Sequence, residues 1–373
     1  MTAVAVLAAP ARALVALEDG RDHIFVDGSF EMGYDSNVFA NAESGGSVSY
    51  RETLAIAFSR HAGLIGVNAT ASLEAGQYSS FRGQNYVDPK VTAELTKLTG
   101  RTTGTLSASI QREDHADVTT NTRDTSWVYD TGLNFQYPVI ERYSISGTVD
   151  YNKTDYLDQT LFTNLVTYTE DVYLYYILNE QRDLFVDYRN RYTEEESGVT
   201  DSDNDLSGGV SGKVYGPFNG SVQFGYQQRS TRGGPEAGDV FNDVSANGAT
   251  TWNIDRRMTL TANLSRDFST TATAQSIDTS SAGLVFQDSL TAKASTTLTA
   301  EGGQNRFLGA EGDVQPGGAQ RVDWFYELGA AYFYTVNQHL KFSISYDYYR
   351  SYSTLAYAEF GRHQVDFTVS SHW

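Results

Sequence analysis

From residue 322 to the end of the chain, every second residue is apolar or aromatic. Val322, Trp324, Tyr326, Leu328, Ala330, Tyr332 and Tyr334 form one row, with Asp323 and Glu327 among the residues between them. After a polar turn at residues 335–339 the row resumes as Leu340, Phe342, Ile344, Tyr346 and Tyr348, alternating with Lys341, Ser343, Ser345 and Asp347. Val365, Phe367 and Val369 then alternate with Gln364, Asp366, Thr368 and Ser370 before the terminal Trp373. Successive side chains of a strand point to opposite faces, so this is a run of strands with one apolar and one polar face. Each row spans about ten to fourteen residues, longer than the usual globular strand. A tilted strand crosses a bilayer with roughly 9 to 11 residues. Tyr and Trp sit near the row ends, where amphipathic rings favour a membrane interface.

The rest of the chain repeats this unit. Ile24, Val26, Phe30, Met32 and Tyr34 face away from Asp27, Ser29 and Glu31. Tyr168, Glu170, Val172, Leu174, Tyr176 and Leu178 make a later row, followed across a short turn by Leu184, Val186 and Tyr188. We count about 18 such strands. Every second connection is short, and the others are longer and rich in Gly, Ser, Asn, Asp and Glu, with residues 193–203, 229–239 and 304–320 as the clearest examples. This asymmetry fits an all-β transmembrane antiparallel barrel with short periplasmic turns, long extracellular loops and both termini on the periplasmic side. A soluble propeller or β-helix is the competing architecture, but those need shorter strands or a fixed repeat period. The barrel is expected to occupy residues 23–373. Residues 14–22 read as a periplasmic lead. Residues 1–13 read as a truncated signal-peptide-like segment, with an apolar stretch at Val4 to Ala9 and an A-x-A-like cleavage site at Ala11, Arg12 and Ala13, though without a basic start.

Composition narrows the function. The formal charge is −19, which disfavours a nucleic-acid partner because phosphate binding needs a basic surface. There are no cysteines, so disulfides and thiolate metal sites are excluded. Mean hydropathy is −0.40, as expected when each strand has one face on lipid and one on water. No base stands beside a nucleophile in a recognisable motif, and the six histidines fall mostly at strand ends and turns. We therefore expect no catalytic site, cofactor or metal centre. Asp114 and His115 read as a surface-loop pair. The stretches 194–196 and 201–205 read as solvated acidic loops.

A barrel of about 18 strands is wide enough for an aqueous lumen, so the polar face carries the function. Strand parity places Asp27, Glu31, Glu74, Glu94, Asp130, Asp150, Asp171, Asp187, Asp205, Asp243, Glu301, Asp323, Glu327, Asp347 and Asp366 inside. Fewer bases face them: Arg51, Arg189, Arg191, Lys213, Lys293 and Lys341. Either these charges line an open, acidic pore that selects its ions, or they pair across the barrel and brace or plug it. Tyr173, Tyr175 and Phe185 should face inward beside Arg189 and Arg191. They suit either a sugar-binding shelf or a packed constriction.

The segment Gly33, Tyr34, Asp35, Ser36, Asn37, Val38 and Phe39 resembles the opening of a family of bacterial outer-membrane β-barrel porins associated with exopolysaccharide synthesis and export systems. The strand count is similar to that of the alginate-type exporters. The resemblance implies an outer-membrane channel that translocates an exopolysaccharide with periplasmic export proteins. A passive porin for small hydrophilic solutes, or a structural or adhesive barrel with a blocked lumen, are the alternatives. The closing strand, with Val365, Phe367, Val369 and Trp373, is similar to the signal read by the barrel assembly machinery. The remaining expected partners are outer-membrane lipid and lipopolysaccharide.

Overall fold

The computed structural model describes residues 15–17, 21–43, 45–61, 63–234, 237–309 and 320–373. The signal-like segment of residues 1–13 lies outside them. A short strand β1 (Val15–Leu17) is followed by β2 (Asp22–Asp35), β3 (Ser47–Arg60), β4 (Gly66–Tyr78), β5 (Tyr86–Lys97), β6 (Thr103–Asp117), β7 (Thr122–Ile140), β8 (Tyr143–Tyr156) and β9 (Leu165–Asn179). The second half comprises β10 (Arg182–Glu195), β11 (Thr200–Tyr215), β12 (Phe218–Arg232), β13 (Val240–Asn253), β14 (Met258–Thr270), β15 (Ser276–Asp288), β16 (Ala294–Phe307), β17 (Val322–Thr335), β18 (Leu340–Ser353) and β19 (Phe360–His372).

Each of β2 to β19 pairs antiparallel with its sequence neighbours, and β19 pairs with β2, so eighteen strands close into one barrel. The closing ladder runs from Gln364↔Asp35 to His372↔Asp27. Val26 and Trp373 extend it by exchanging both backbone hydrogen bonds. Closure is what a bilayer demands, because an open sheet edge in hydrocarbon leaves N–H and C=O groups without partners. The lead expected at residues 14–22 is partly sheet. Val15 to Leu17 pair with Ile24 to Asp22 of β2.

Parity along the strands holds through the barrel. Leu174, Val186 and Ile344 point outward and are about half exposed, at 49%, 55% and 50%. Phe342 shares their face and stacks on Phe367. Rings gather towards both ends of the apolar belt: Tyr143 with Tyr176 and Phe218 with Trp252 near one rim, Tyr326 with Tyr348 and Tyr352 near the other. This is a surface built for lipid flanked by interfaces. Placing Arg at Ile344 is expected to destabilise the folded barrel by roughly 2–4 kcal/mol, against much less at Ser343, one residue away on the wet face. Urea titration in detergent or liposomes checks this, and equal losses at the two positions would mean the faces are misassigned.

Connections on one rim occupy residues 61–65, 98–102, 141–142, 180–181, 216–217, 254–257, 289–293 and 336–339. At one of these turns Asp255 accepts backbone N–H bonds from Arg257 and Met258, at 2.7 and 2.8 Å. Those bonds hold its carboxyl below the usual range. The other rim carries the described residues of the connections 36–46, 79–85, 118–121, 157–164, 196–199, 233–239, 271–275, 308–321 and 354–359.

The loop rim differs from the sequence reading in a systematic way. Residues 193–203 are mostly strand, with only 196–199 between β10 and β11. Likewise Asp114 and His115 lie within β6, not in a loop, where Asp114 pairs with Arg123 and His115 faces Asp124. The reason is visible on the outer surface. Glu170, Asn190, Asn204, Gln228 and Asn242 stand side by side in register across β9 to β13. Gln228 bonds Asn242, while Asn190 and the Tyr188 hydroxyl both bond Asn204. The apolar belt gives way at this row, but the backbone ladders continue above it because their hydrogen bonds still need partners.

Candidate functional site

The inner wall has two zones. The first is a band of carboxylates. Glu74, Glu94, Asp130, Asp150, Asp171, Asp187, Glu301, Glu327 and Asp347 all face inward by parity, and none forms an ion pair among the described residues. They bond neutral groups instead. The Tyr86 hydroxyl donates to Glu74, Asn68 to Glu94, and Ser109 and Asn152 to Asp130. Several lie flat against the wall because glycine stands opposite them. Asp150 is paired with Gly132, Asp347 with Gly329 and Asp366 with Gly33. A Cβ on Gly132 or Gly329 would sit 2.6 Å from the facing carboxylate oxygen.

The inward arginines are already engaged. Arg51 holds Glu31 and Asp366, and Arg362 holds Asp35. Lys341 faces inward by parity and makes no ion pair among the described residues, as does Lys90, which the sequence reading overlooked. These lysines leave the carboxylate excess in place.

The second zone is a buried ion network near the loop rim. Arg189 and Arg191 on β10 and Arg229 on β12 project inward, and Arg229 is completely buried. Arg229 donates to both carboxylate oxygens of Asp203, at 2.6 and 2.8 Å. Arg191 reaches Asp203 and Asp267, and Arg189 reaches Asp267 at 2.7 Å. Asp201, Asp203 and Asp205 are therefore not a solvated loop. They alternate along β11, each 3% exposed, and face the arginines.

Asp267 belongs to β14, three strands beyond β11, and its arrival here reveals a departure from regular barrel geometry. The β13–β14 ladder ends at Ala246↔Arg266. Above that point β13 stays with β12 as far as Val240, and β14 stays with β15 as far as Thr270↔Ser276. The wall thus splits between β13 and β14, and the upper β14–β15 hairpin, still paired with β16 as far as Ile277↔Phe307, bends into the lumen onto β10 and β12. Its freed backbone groups find new partners. Arg191 donates to the Phe268 carbonyl, Arg229 donates to the Ser269 carbonyl, and the Phe268 N–H donates to Gln227. At the split, Arg266 and Arg306 both reach Asp243 and Asp278.

Other connections cross the same mouth. Thr163, between β8 and β9, donates its N–H to the Ala272 carbonyl at the hairpin tip. Asn121, between β6 and β7, donates to the Ala40 carbonyl and accepts from Arg321, which comes from the far side of the ring. Arg321 also lies over the Phe307 ring and holds Asp323. Asp323 was expected to line the pore; it is 3% exposed and locked in this bracing. The segment after Gly33 has the same part: Asp35 accepts the Asn37 N–H, and the Asn37 amide donates to the Asn41 carbonyl. Val38, Ala40, Phe162, Phe268, Phe307 and Phe360 are buried here.

Of the residues singled out from sequence, Asp171, Tyr173, Tyr175, Asp187, Arg189 and Arg191 come together on the inner face of β9 and β10. Glu327, Asp347 and Asp366 lie on the inner faces of β17, β18 and β19, and Val365, Phe367 and Val369 on the outer face of β19. Arg229 and Asp267 were missed. Both sit at inward parity, and that was the only signal available.

No protein-family model matches the chain, and no curated protein matches it. Among solved structures it is similar to outer-membrane barrels of Pseudomonas aeruginosa. OpdK crystallised with vanillate is 11% identical over 94% of this chain and 99% of that one, with a TM-score of 0.52. A second structure of that barrel, named OccK1 (OpdK), gives 12% identity over 94% and 98%, with a TM-score of 0.50. The fold is that of an outer-membrane β-barrel.

Proposed function

We propose that the chain is an outer-membrane channel for small hydrophilic solutes, with a preference for cations. The observation that carries this is the carboxylate band, whose acids lack cationic partners among the described residues while the inward arginines are engaged by other carboxylates. Fixed negative charge between low-dielectric walls lowers the energy of a passing cation and raises that of an anion. The cross-mouth bonds favour small solutes over a polymer. Moving an exopolysaccharide would require breaking the Thr163–Ala272 and Arg321–Asn121 links and displacing the hairpin, and each is tied to buried side chains.

The test is the reversal potential in a salt gradient across a planar bilayer. Wild type is expected to favour cations. Changing Glu301 and Glu327 to Gln and Asp347 to Asn should move the potential towards zero, since these three carboxylates are neighbours on β16, β17 and β18. Anion selectivity in the wild type would refute the acidic-lumen argument. Translocation of a polysaccharide by proteoliposomes with the mouth intact would favour the exporter instead.

A further inference from the structure

On the inner face of the β9–β10 ladder, Arg189 stands directly opposite Asp171, and Asp187 directly opposite Tyr173. Cross-strand pairing of opposite charges would ordinarily join Arg189 to Asp171. Here the guanidinium turns away, to Asp267 at 2.7 Å and to Asp205, opposite it on β11, at 4.0 Å. The docked hairpin has taken the cation that belongs to the wall, and Asp171 and its diagonal neighbour Asp187 are left without one.

Their oxygens show the deficit. Asp187 is 2% exposed. Its Oδ2 accepts from Ser207 and Gln223, at 3.1 and 3.2 Å, while its Oδ1 is buried without a donor, and the Asp171 carboxylate lies within hydrogen-bonding reach. Asp171 Oδ2 accepts from the Tyr173 hydroxyl at 2.9 Å, and its Oδ1 is also buried without a donor. Buried carboxylate oxygens left unsatisfied are unfavourable unless a positive charge joins them. Beside them Tyr173, Tyr175 and Phe185 pack into one aromatic surface, with ring centroids 5.3 to 5.8 Å apart. Ring faces attract a cation, and the carboxylates fix where its charge sits.

We propose that Asp171, Asp187 and this aromatic surface form a binding subsite for a small organic cation bearing a primary ammonium group. The ammonium enters between the two carboxylates and the carbon skeleton lies on the rings. The proposal deepens the channel reading by naming a solute class, and rests on it for access through the lumen. It carries a linkage: the subsite is available while Asp267, with Asp205, holds Arg189, so cation binding and hairpin docking strengthen each other.

The test uses the full chain in detergent, with phenethylammonium as the probe in isothermal calorimetry and as a blocker of sodium current in bilayers. Wild type is expected to show one site. Asp171→Asn with Asp187→Asn should weaken binding at least tenfold, and Asp255→Asn, in a rim turn, should not. Asp267→Asn with Asp205→Asn should also weaken it tenfold by leaving Asp171 as the carboxylate opposite Arg189. Adding Arg189→Met to that variant should restore the site. Heat-modifiable gel mobility confirms that each variant is folded. Unchanged binding in the Asp171/Asp187 variant overturns the proposal, and so does absence of binding to folded wild type, which would mean that the pair holds a shared proton instead. Binding without any ionic current would overturn the channel reading and leave the subsite standing.

Discussion

Replacing residues 267–278 with a two-residue turn is expected to raise single-channel conductance several-fold. The hairpin bends inward over the inner faces of β10 and β12, and it is held there by side chains. Arg229, oriented by Asp203, attaches it through the Ser269 carbonyl and the Thr270 and Ser276 hydroxyls, and Arg189 and Arg191 hold Asp267. A point variant makes the same argument more sharply. Arg229→Met leaves Asp201 and Asp203 buried with less compensating charge. Breaking a buried ion pair by removing one partner costs about 3–5 kcal/mol. The relief available is to let the hairpin swing away and admit water. Both variants should therefore conduct more than wild type and bind larger solutes. Conductance at or below the wild-type value in a folded Arg229→Met barrel would show that the hairpin is no constriction.

Deleting residues 365–373 is expected to abolish membrane assembly. Those residues make nearly the whole closing ladder with β2, and Trp373 adds the Val26 pair and a ring stacked on His339 at 4.2 Å. Without them β2 and β18 present open edges to lipid, with each unsatisfied backbone group worth several kcal/mol. The measurement is heat-modifiable gel mobility and protease protection of the membrane fraction. A truncated chain that inserts and shifts normally would contradict closure through this seam. The same ladder explains why the final strand reads as an assembly signal: its outward residues Val365, Phe367 and Val369 meet Tyr34, Met32 and Phe30 across the joint.

What the chain determined by itself was everything that depends on local alternation. Period-two rows from Ile24 to Trp373 specify strands, their outward faces and their number, because a one-residue slip would put Leu174 or Ile344 into water and Asp171 or Asp347 into lipid. Parity alone placed Tyr173, Tyr175, Arg189 and Arg191 on the inner wall. The signal failed above the polar row through Asn190 and Asn204. There the outer face no longer meets hydrocarbon, so strand and loop look alike in sequence, and residues 193–203 read as a loop.

Tertiary structure alone decided which charges remain free. Asp171 and Arg189 are cross-strand neighbours, and nothing within β9 or β10 says that they should part. They part because Asp267, 78 residues further along the chain than Arg189, arrives on a hairpin that has left its own neighbour strand. Asp323, equally inward by parity, is withdrawn from the lumen by Arg321 and the bracing across the mouth. Alternation fixes the face to which a side chain belongs. Its partner is set by the competition among all groups that reach the same place, and that competition exists only once the barrel has closed.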